Sequence, residues 1–273
     1  MALYDPVVHR PLATRFGLDS RVSILSFRSW ALWSLGYPDA ALADVHQALS
    51  DARELGQAAT LMYVLPITSL THMLCGNYTA ANTQLEEVAA LANEKSSSFW
   101  QAVPIGLRGC LFAQRADASN AVHMITSGIA ALHSTGADLW MTWLLSNLTR
   151  AYAQLGQFDD AWRSNSETMI AMETSKERLF EVEVHRTAAE IALVSPEHDA
   201  VKAEAYFQRA LAIARQRQAK SRELRAALAR LWRDQGKKQQ ARELLAPVYG
   251  WFTEGFDTRD LKEAKALLEE LSS

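Results

Sequence analysis

The string LGYPDAAL at residues 35–42 decides the fold of this chain, because strings of the same form recur along its length. Each places an alanine five positions after its turn. The counterparts are CGNYTAAN (75–82), RADASNAV (115–122), LGQFDDAW (155–162) and QGKKQQAR (235–242), and HDAVKAEAYFQRAL (198–211) supplies a further alanine, Ala203. The alanines are spaced by 40, 40, 40, 42 and 38 residues. A fixed period of this length indicates a repeat architecture.

Two other features keep the same period. Apolar stretches begin at Phe99-Trp100, Leu139-Trp140 and Leu179-Phe180. Turn-forming residues recur in phase at Gly17, Gly56, Ser96–Ser98 and Gly136. Three separate markers agree in phase, so the repeat is more than a bias of composition.

The apolar residues within a repeat follow the period of an α-helix. Leu145, Leu148 and Tyr152 fall at positions i, i+3 and i+7, and Ala203 and Phe207 are four apart. We therefore predict two helices of about 16–19 residues in each repeat. The recurring alanine lets the second helix approach its partner closely. Glycine before it permits a left-handed end to the first helix.

The composition agrees with a helical protein. Of the 273 residues 49% are apolar and 22% are charged, which is typical of a folded chain. The chain has 12 glycines and 7 prolines. All-β sandwiches and barrels need turn residues about every 8–12 positions, so this content argues against them. Two cysteines, Cys75 and Cys110, exclude a disulfide scaffold and suit a reducing compartment.

The N-terminus and the apolar segments favour a cytoplasmic location. No apolar run of signal-peptide length follows a basic start. Residues 55–85 carry no charged side chain, but glutamine, threonine and asparagine interrupt them. No window of about 18 residues is continuously apolar, as a membrane span requires. We expect no membrane contact, and the net charge of −3 provides no global attraction to nucleic acid.

The repeats resemble the tetratricopeptide repeat in the spaced signature of their two helices. The matching positions are Leu148, Thr149, Tyr152, Gly156, Phe158 and Ala161 in the fourth repeat, and Leu228, Ala229, Trp232, Gly236 and Ala241 in the sixth. The family's repeat is about 34 residues long, shorter than the period here. The resemblance implies an all-α fold, an α-solenoid of about six helix-turn-helix repeats. It also implies a right-handed superhelix with a capping helix at each end.

The repeat phase also predicts how the chain is divided. We expect an N-terminal capping segment at 1–20, six repeats over 21–255 and a C-terminal capping helix at 256–273. The repeats run approximately over 18–56, 57–95, 96–135, 136–175, 176–218 and 219–255.

Longer strings are similar to one group of bacterial multidomain signalling proteins. They include YDPVVHRPLATRFGLDSRV (4–22), STGADLW (134–140), AEAYFQRALAIARQRQAKS (203–221) and a long string over 229–268. In that group a class III adenylate/guanylate cyclase domain and a signalling ATPase module precede a C-terminal tetratricopeptide region. The resemblance implies a regulatory arm without the catalytic part. A cyclase or ATPase domain upstream in the same chain is then a candidate partner.

The motifs of catalysis and metal binding are missing from the sequence. It contains no Gly-x-x-x-x-Gly-Lys-Ser/Thr, no His-Glu-x-x-His and no Cys-x-x-Cys. His72 with Cys75, and Glu181 with His185, are pairs one helical turn apart. Two ligands do not complete a structural zinc site, so we interpret both pairs as packing or surface contacts. We predict no catalytic residues, no metal and no cofactor; an enzyme is the least favoured alternative.

Charge is distributed unevenly. Residues 1–172 hold 24 charged side chains, whereas residues 173–273 hold 35. Nine basic residues lie between 215 and 238 against two acidic ones. Trp232 is the single aromatic residue among them, so there is no series of interleaved aromatic residues to stack bases, which favours a solvated helix face over a nucleic-acid site.

The repeat phase also selects a candidate binding surface. Tetratricopeptide arrays bind partners on the concave face, which the first helix of each repeat forms. The candidates there are Phe27, Trp30, Tyr63, Trp143, Asn147, Arg150, Arg186, Glu190 and Arg230. An apolar half followed by a charged half suits an amphipathic helix or an extended peptide. The alternative is that the aromatic residues only pack between repeats.

These observations favour a non-catalytic scaffold for protein interaction or regulation, with a protein or peptide as the partner. A second hypothesis is a solenoid that senses a small-molecule effector in an aromatic-lined concave groove.

Overall fold

The computed structural model of the protein describes residues 4–220 and 236–272. These residues form thirteen helices and no strand. The helices are α1 (Pro6–Phe16), α2 (Ser20–Leu35), α3 (Pro38–Leu55), α4 (Ala58–Leu74), α5 (Tyr78–Glu94), α6 (Ser98–Gln114), α7 (Ala118–Ser134), α8 (Met141–Gln154), α9 (Phe158–Ser175), α10 (Glu181–Val194), α11 (Ala200–Gln216), α12 (Lys238–Tyr249) and α13 (Arg259–Leu271).

The helices pack as pairs that stack in a row. α2 packs on α3, α4 on α5, α6 on α7, α8 on α9 and α10 on α11. The first helix of each pair also contacts the first helix of the next pair, from α2 through α10. A stack in which each repeat packs on its neighbours is an α-solenoid, as the sequence predicts. No helix within the described residues is both long and apolar enough to cross a membrane.

The recurring alanines occupy the predicted close contacts. Ala41, Ala81, Ala121, Ala161, Ala203 and Ala241 are all completely buried. Helices α6 and α7 approach even more closely, because glycines face each other there. A Cβ atom added to Gly128 would lie 2.4 Å from the Cα of Gly106. Small side chains therefore set the spacing between the two helices of a repeat.

The turn inside each repeat is left-handed, as predicted. Gly36, Gly76, Gly156 and Gly236 have φ angles of 93°, 80°, 71° and 77°. Where glycine is missing, Ala116 (φ 61°) and His198 (φ 41°) take the same conformation. This conformation costs an ordinary residue roughly 1–2 kcal/mol. The geometry of the repeat therefore imposes the turn even on side chains that disfavour it.

Three helices of the repeats, α8, α10 and α12, are shorter than the predicted length, and α12 has 12 residues. α8 and α10 have 14 residues each. In both, the aromatic residue that marks the apolar stretch is the N-cap rather than part of the helix; Trp140 takes a left-handed φ of 71°, and Phe180 is the N-cap of α10. Some residues that the prediction assigned to each helix therefore belong to the irregular segment before it.

Candidate functional site

A cavity lies at the centre of the solenoid. Its volume is about 100 Å³, and it is partly open to solvent. Five aromatic side chains line it, namely Trp30, Trp33, Tyr78, Trp143 and Phe180. The remaining wall is mostly aliphatic, with a few charged groups described below.

The aromatic side chains of this wall are held by contacts with one another and with the backbone. The indole N–H of Trp30 donates to the carbonyl oxygen of Ile67 at 3.0 Å. The Trp30 ring packs edge-on against Trp140, with 5.7 Å between centroids. On the other side Trp143 packs against Phe180 at 4.7 Å. These contacts fix the shape of the cavity before any ligand arrives.

Three exposed apolar side chains lie on the cavity wall or next to the aromatic contacts that support it, and we call them the apolar rim: Phe27, Leu139 and Leu179. Phe27 packs edge-on against Trp30 at 5.2 Å, and Leu139 precedes Trp140, which packs on Trp30. Leu179 itself lines the cavity. All three side chains are about half exposed, at 47%, 54% and 45%.

A chain of polar contacts crosses α6, α8 and α10. The Gln114 amide donates to the Asn147 side chain at 2.9 Å and accepts from Arg150 at 3.0 Å. Arg150 donates to Glu183 at 2.6 Å. Arg186 then pairs with both Glu183 and Glu190. We call these six residues the polar ladder.

The two arginines of the ladder keep Glu183 ionised. Burial by itself raises the pKa of this carboxyl group. The charges and hydrogen bonds of Arg186 and Arg150 outweigh burial and lower the pKa of Glu183 to about 2. The ladder is therefore neutral overall, with two arginines facing two glutamates.

The C-terminal segment at 251–259, which we call the clasp, closes onto the first repeats. The Glu254 carboxylate accepts hydrogen bonds from the backbone N–H groups of Asp39 (3.0 Å) and Ala40 (3.1 Å), at the N-terminus of α3. In return Asp39 accepts from the N–H of Gly255 at 3.0 Å. These groups are some 215 residues apart in sequence.

Further contacts seal the clasp against the turns of the first two repeats. The Tyr37 and Trp251 rings lie 5.4 Å apart. Arg259 donates to the Tyr78 hydroxyl at 3.3 Å. The Lys220 ammonium lies over the Trp251 ring of the clasp. The backbone N–H of Lys220 donates to the carbonyl oxygen of Ser34 at 2.8 Å. The two ends of the solenoid therefore meet, and Lys220, Arg259 and Asp260 complete the cavity wall.

Comparison with known proteins supports the fold. No protein-family profile matches the sequence, and no curated protein matches it. Among solved structures, yeast Tom70 is similar with a TM-score of 0.53 and 11% identity, over 92% of this chain and 53% of that one. The chain thus spans about half the length of the Tom70 structure. A tetratricopeptide repeat protein from Parabacteroides merdae follows at a TM-score of 0.48 and 12% identity, over 92% of both chains.

The chain has a tetratricopeptide-repeat fold. At this level of identity the likeness establishes the architecture alone.

Within this tetratricopeptide solenoid, the predicted aromatic candidates separate into two groups. Trp30 and Trp143 line the cavity, and Phe27 lies on its rim. Tyr63 is elsewhere, between Ser23, whose hydroxyl is 3.4 Å from its own, and Trp100. Whether any of them binds a partner stays a prediction.

The predicted polar candidates lie along the ladder. Asn147 and Arg186 are buried and engaged within the protein, Arg150 is mostly buried, and Glu190 remains partly exposed. Arg230 lies outside the described residues, as does most of the basic stretch at 215–238. The described charged candidates of the groove are therefore already paired within the protein.

The pair His72 and Cys75 is buried in the packing of α4. Burial, with a smaller contribution from nearby His46, lowers the pKa of His72 to about 4. Neither side chain lines the central cavity. No group of three or more histidine, cysteine or acidic side chains in the described part of the chain is placed to hold a metal ion.

Sequence reasoning missed the clasp. Its aromatic pair Trp251-Phe252 and its turn at Gly255 stand out in the string GWFTEGFDT, but the string has no counterpart in the other repeats. A break in the periodicity that is rich in aromatic residues is the signal that marks a contact outside the repeat pattern.

Proposed function

We propose that this chain is a non-catalytic scaffold that binds a protein or peptide partner at the concave face of its solenoid. α-Solenoids present extended concave surfaces to their partners. The observation that carries the proposal is the apolar rim, where three half-exposed apolar side chains adjoin the aromatic cavity. Clustered exposed apolar surface marks sites of interaction.

We propose further that the scaffold is the regulatory arm of a bacterial cytoplasmic signalling protein, or a freestanding relative of such an arm. The partner is then a class III cyclase domain or a signalling ATPase module. The similarity of strings such as STGADLW (134–140) to that group supports this assignment. Reading the gene upstream of this segment tests the regulatory-arm arrangement. A cyclase or ATPase domain there supports that arrangement, and an unrelated neighbour contradicts it and leaves the freestanding relative.

The variant that tests partner binding is Phe27→Ala combined with Leu139→Ala, because both side chains are exposed and their loss should leave the fold intact. We expect the affinity for a recombinant cyclase–ATPase fragment to fall about tenfold or more, as at interface hot spots. Biolayer interferometry measures the affinity. Ile170→Ala is the control, since Ile170 is 66% exposed on α9.

An unchanged affinity in the double variant would remove the rim from the proposal. Asn147→Ala and Arg186→Ala are poorer tests. Both side chains are buried and hydrogen-bonded within the protein, so their loss perturbs the fold as well as any partner contact.

The cavity favours a second candidate function, the sensing of a small-molecule effector. Ligand sites are concave and mostly apolar, as this cavity is. A thermal-shift screen with nucleotides, sugars and lipids tests the idea, because a ligand that binds the folded state raises its melting temperature. The absence of any shift at millimolar ligand would contradict it.

A further inference from the structure

The central cavity is enclosed by parts of the chain that are far apart in sequence. Trp30 and Trp33 come from the first repeat, and Trp143 and Phe180 come from the middle of the chain. Lys220, Arg259 and Asp260 come from its C-terminal part. The complete wall therefore exists only while the clasp is seated on the first repeats.

Two charged groups of the described wall are already paired. Glu183 is paired with Arg150 and Arg186. Arg259 is bound to Glu263 and to the Tyr78 hydroxyl.

The two other charged side chains of the described wall are occupied as well. The Lys220 ammonium lies over the Trp251 ring, 4.6 Å from its centroid, and Asp260 also has an interaction partner. Within the described wall, a charged ligand would have to shed its hydration and compete with these existing contacts for a counter-charge, which is costly.

The uncharged part of the wall selects the ligand by shape. Indole, phenol and phenyl groups offer flat faces that favour offset or edge-on contact with another ring. A ring-shaped apolar molecule buries most of its surface against such walls, whereas a sugar or nucleotide needs many more hydrogen bonds than this wall offers.

We propose that the cavity binds an uncharged aromatic small molecule, and that the state with the clasp seated is the one that binds it. The proposal rests on the effector-sensing candidate above and names its ligand class. Since the ligand contacts both ends of the solenoid, binding and closure favour each other by thermodynamic linkage. An effector of this class would keep the clasp seated on the first repeats, and opening of the clasp would release the effector.

The clasp is sensitive to a single methyl group. Gly255 has a φ of 74°, and a Cβ atom added there would lie 2.0 Å from the Cγ of Pro38. Gly255→Ala therefore forces the clasp away from the first repeats while leaving every cavity-lining side chain in the sequence.

Two probes that differ by one charged group test the ligand class. N-phenyl-1-naphthylamine is neutral, and 1-anilinonaphthalene-8-sulfonate is the same ring system with a sulfonate. We expect one neutral molecule per chain, with a dissociation constant on the order of 10 μM for a ligand of this size. The sulfonate should bind about tenfold more weakly or worse. Probe fluorescence, excited directly and by energy transfer from tryptophan, reports both affinities.

Two variants test where the probe binds and whether its binding is linked to seating of the clasp. Ala219→Phe fills the cavity from its wall and should abolish saturable binding of the neutral probe, whereas Ala212→Phe, on the exposed side of α11, should not. Gly255→Ala should weaken binding about tenfold through loss of closure, and Asp257→Ala, which is fully exposed beside it, should have no effect. Circular dichroism confirms that each variant is folded.

The proposal is overturned if the sulfonate binds as tightly as the neutral probe, if Ala219→Phe leaves saturable binding intact, or if Gly255→Ala binds like the native chain. Failure here is distinct from failure of partner binding. Ala219 lies inside the cavity and Phe27 on its rim, so the affinity of Ala219→Phe for the cyclase–ATPase fragment reports the scaffold function separately.

Discussion

Helices α4 and α10 hold equivalent positions in two repeats but are built from opposite kinds of residue. α4 contains no aspartate, glutamate, lysine or arginine, and 12 of its 17 residues are buried. α10 carries four charged side chains in 14 residues and buries two of them, Glu181 and Arg186. The same backbone position is therefore stabilised mainly by burial in one half of the solenoid and by burial together with ion pairs in the other.

The difference extends to the cores around the two helices. One continuous cluster of buried apolar residues runs from Val22 on α2 to Phe180 before α10. The cluster around α10 and α11 is smaller, with Phe207 and Leu211 buried among three alanines. In a solenoid each interface contributes separately to stability. The two halves should therefore respond differently to the same kind of perturbation.

The largest expected effect is that of Phe207→Ala. Phe207 is 1% exposed, and three of the four other buried residues in its cluster are alanines, which are too small to fill the space it leaves. We expect a loss of about 3–5 kcal/mol in the free energy of unfolding. Hydrogen exchange should show lost protection in α10 and α11 and unchanged protection in α4–α7. Val201→Ala, on the exposed side of α11, is the control. Equal loss of protection in α4 would mean that the halves unfold together.

The next effect is a difference in pH dependence. The pKa of His72 is about 4 in the folded chain and about 6.5 in the unfolded chain. The unfolded state binds the proton first, so stability falls as the pH drops from about 6.5 to about 4, by at most roughly 3 kcal/mol. For Glu183, whose folded pKa is about 2, stability is complete above about pH 5 and falls below that.

Urea unfolding at pH 7.5 and pH 4.5 checks the upper window. His72→Gln should flatten this part of the profile, whereas exposed His133→Gln should not. His185, whose pKa burial also lowers, remains in the variant and accounts for a residual slope. An unaltered slope in His72→Gln would show that His72 does not set the acid sensitivity of the apolar half.

A smaller effect is expected from Gly128→Ala in the apolar half. Helix propensity alone would make this change stabilising. The added methyl group meets the backbone of Gly106 at 2.4 Å, and neither backbone is free to yield. We therefore expect a loss of about 1–3 kcal/mol, seen as a lower melting temperature. Ser127→Ala on the exposed face of α7 is the control, and stabilisation by Gly128→Ala would show that α6 and α7 are less tightly packed.

The smallest effect concerns the contact that joins the two halves. Glu254→Ala removes the carboxylate that caps the N-terminus of α3. We expect a cost of about 0.5–2 kcal/mol, typical of a lost N-cap. Hydrogen exchange at Asp39 and Ala40 should rise, whereas Asp257→Ala should leave it unchanged. Unchanged exchange at these two amides in Glu254→Ala would place the clasp elsewhere in solution.

Part of the candidate site was predictable from the repeat phase. The phase selected Trp30 and Trp143, and both line the cavity. It also selected Asn147 and Arg186. Asn147 is hydrogen-bonded to Gln114, and Arg186 is paired with Glu183 and Glu190 within the protein. A phase assigns the face on which a residue lies. It does not show whether a neighbouring repeat has already satisfied that residue.

The helical repeat, the buried alanines and the left-handed turns follow from the amino-acid pattern alone. These features depend on residues within one repeat, and the same local physics acts each time the pattern returns. Only the tertiary structure decided that Glu254 and Gly255 meet Asp39 across some 215 residues and close a cavity. Closure depends on the small rotation between neighbouring repeats, summed over the whole array. No single repeat carries that sum, so no local pattern reveals it.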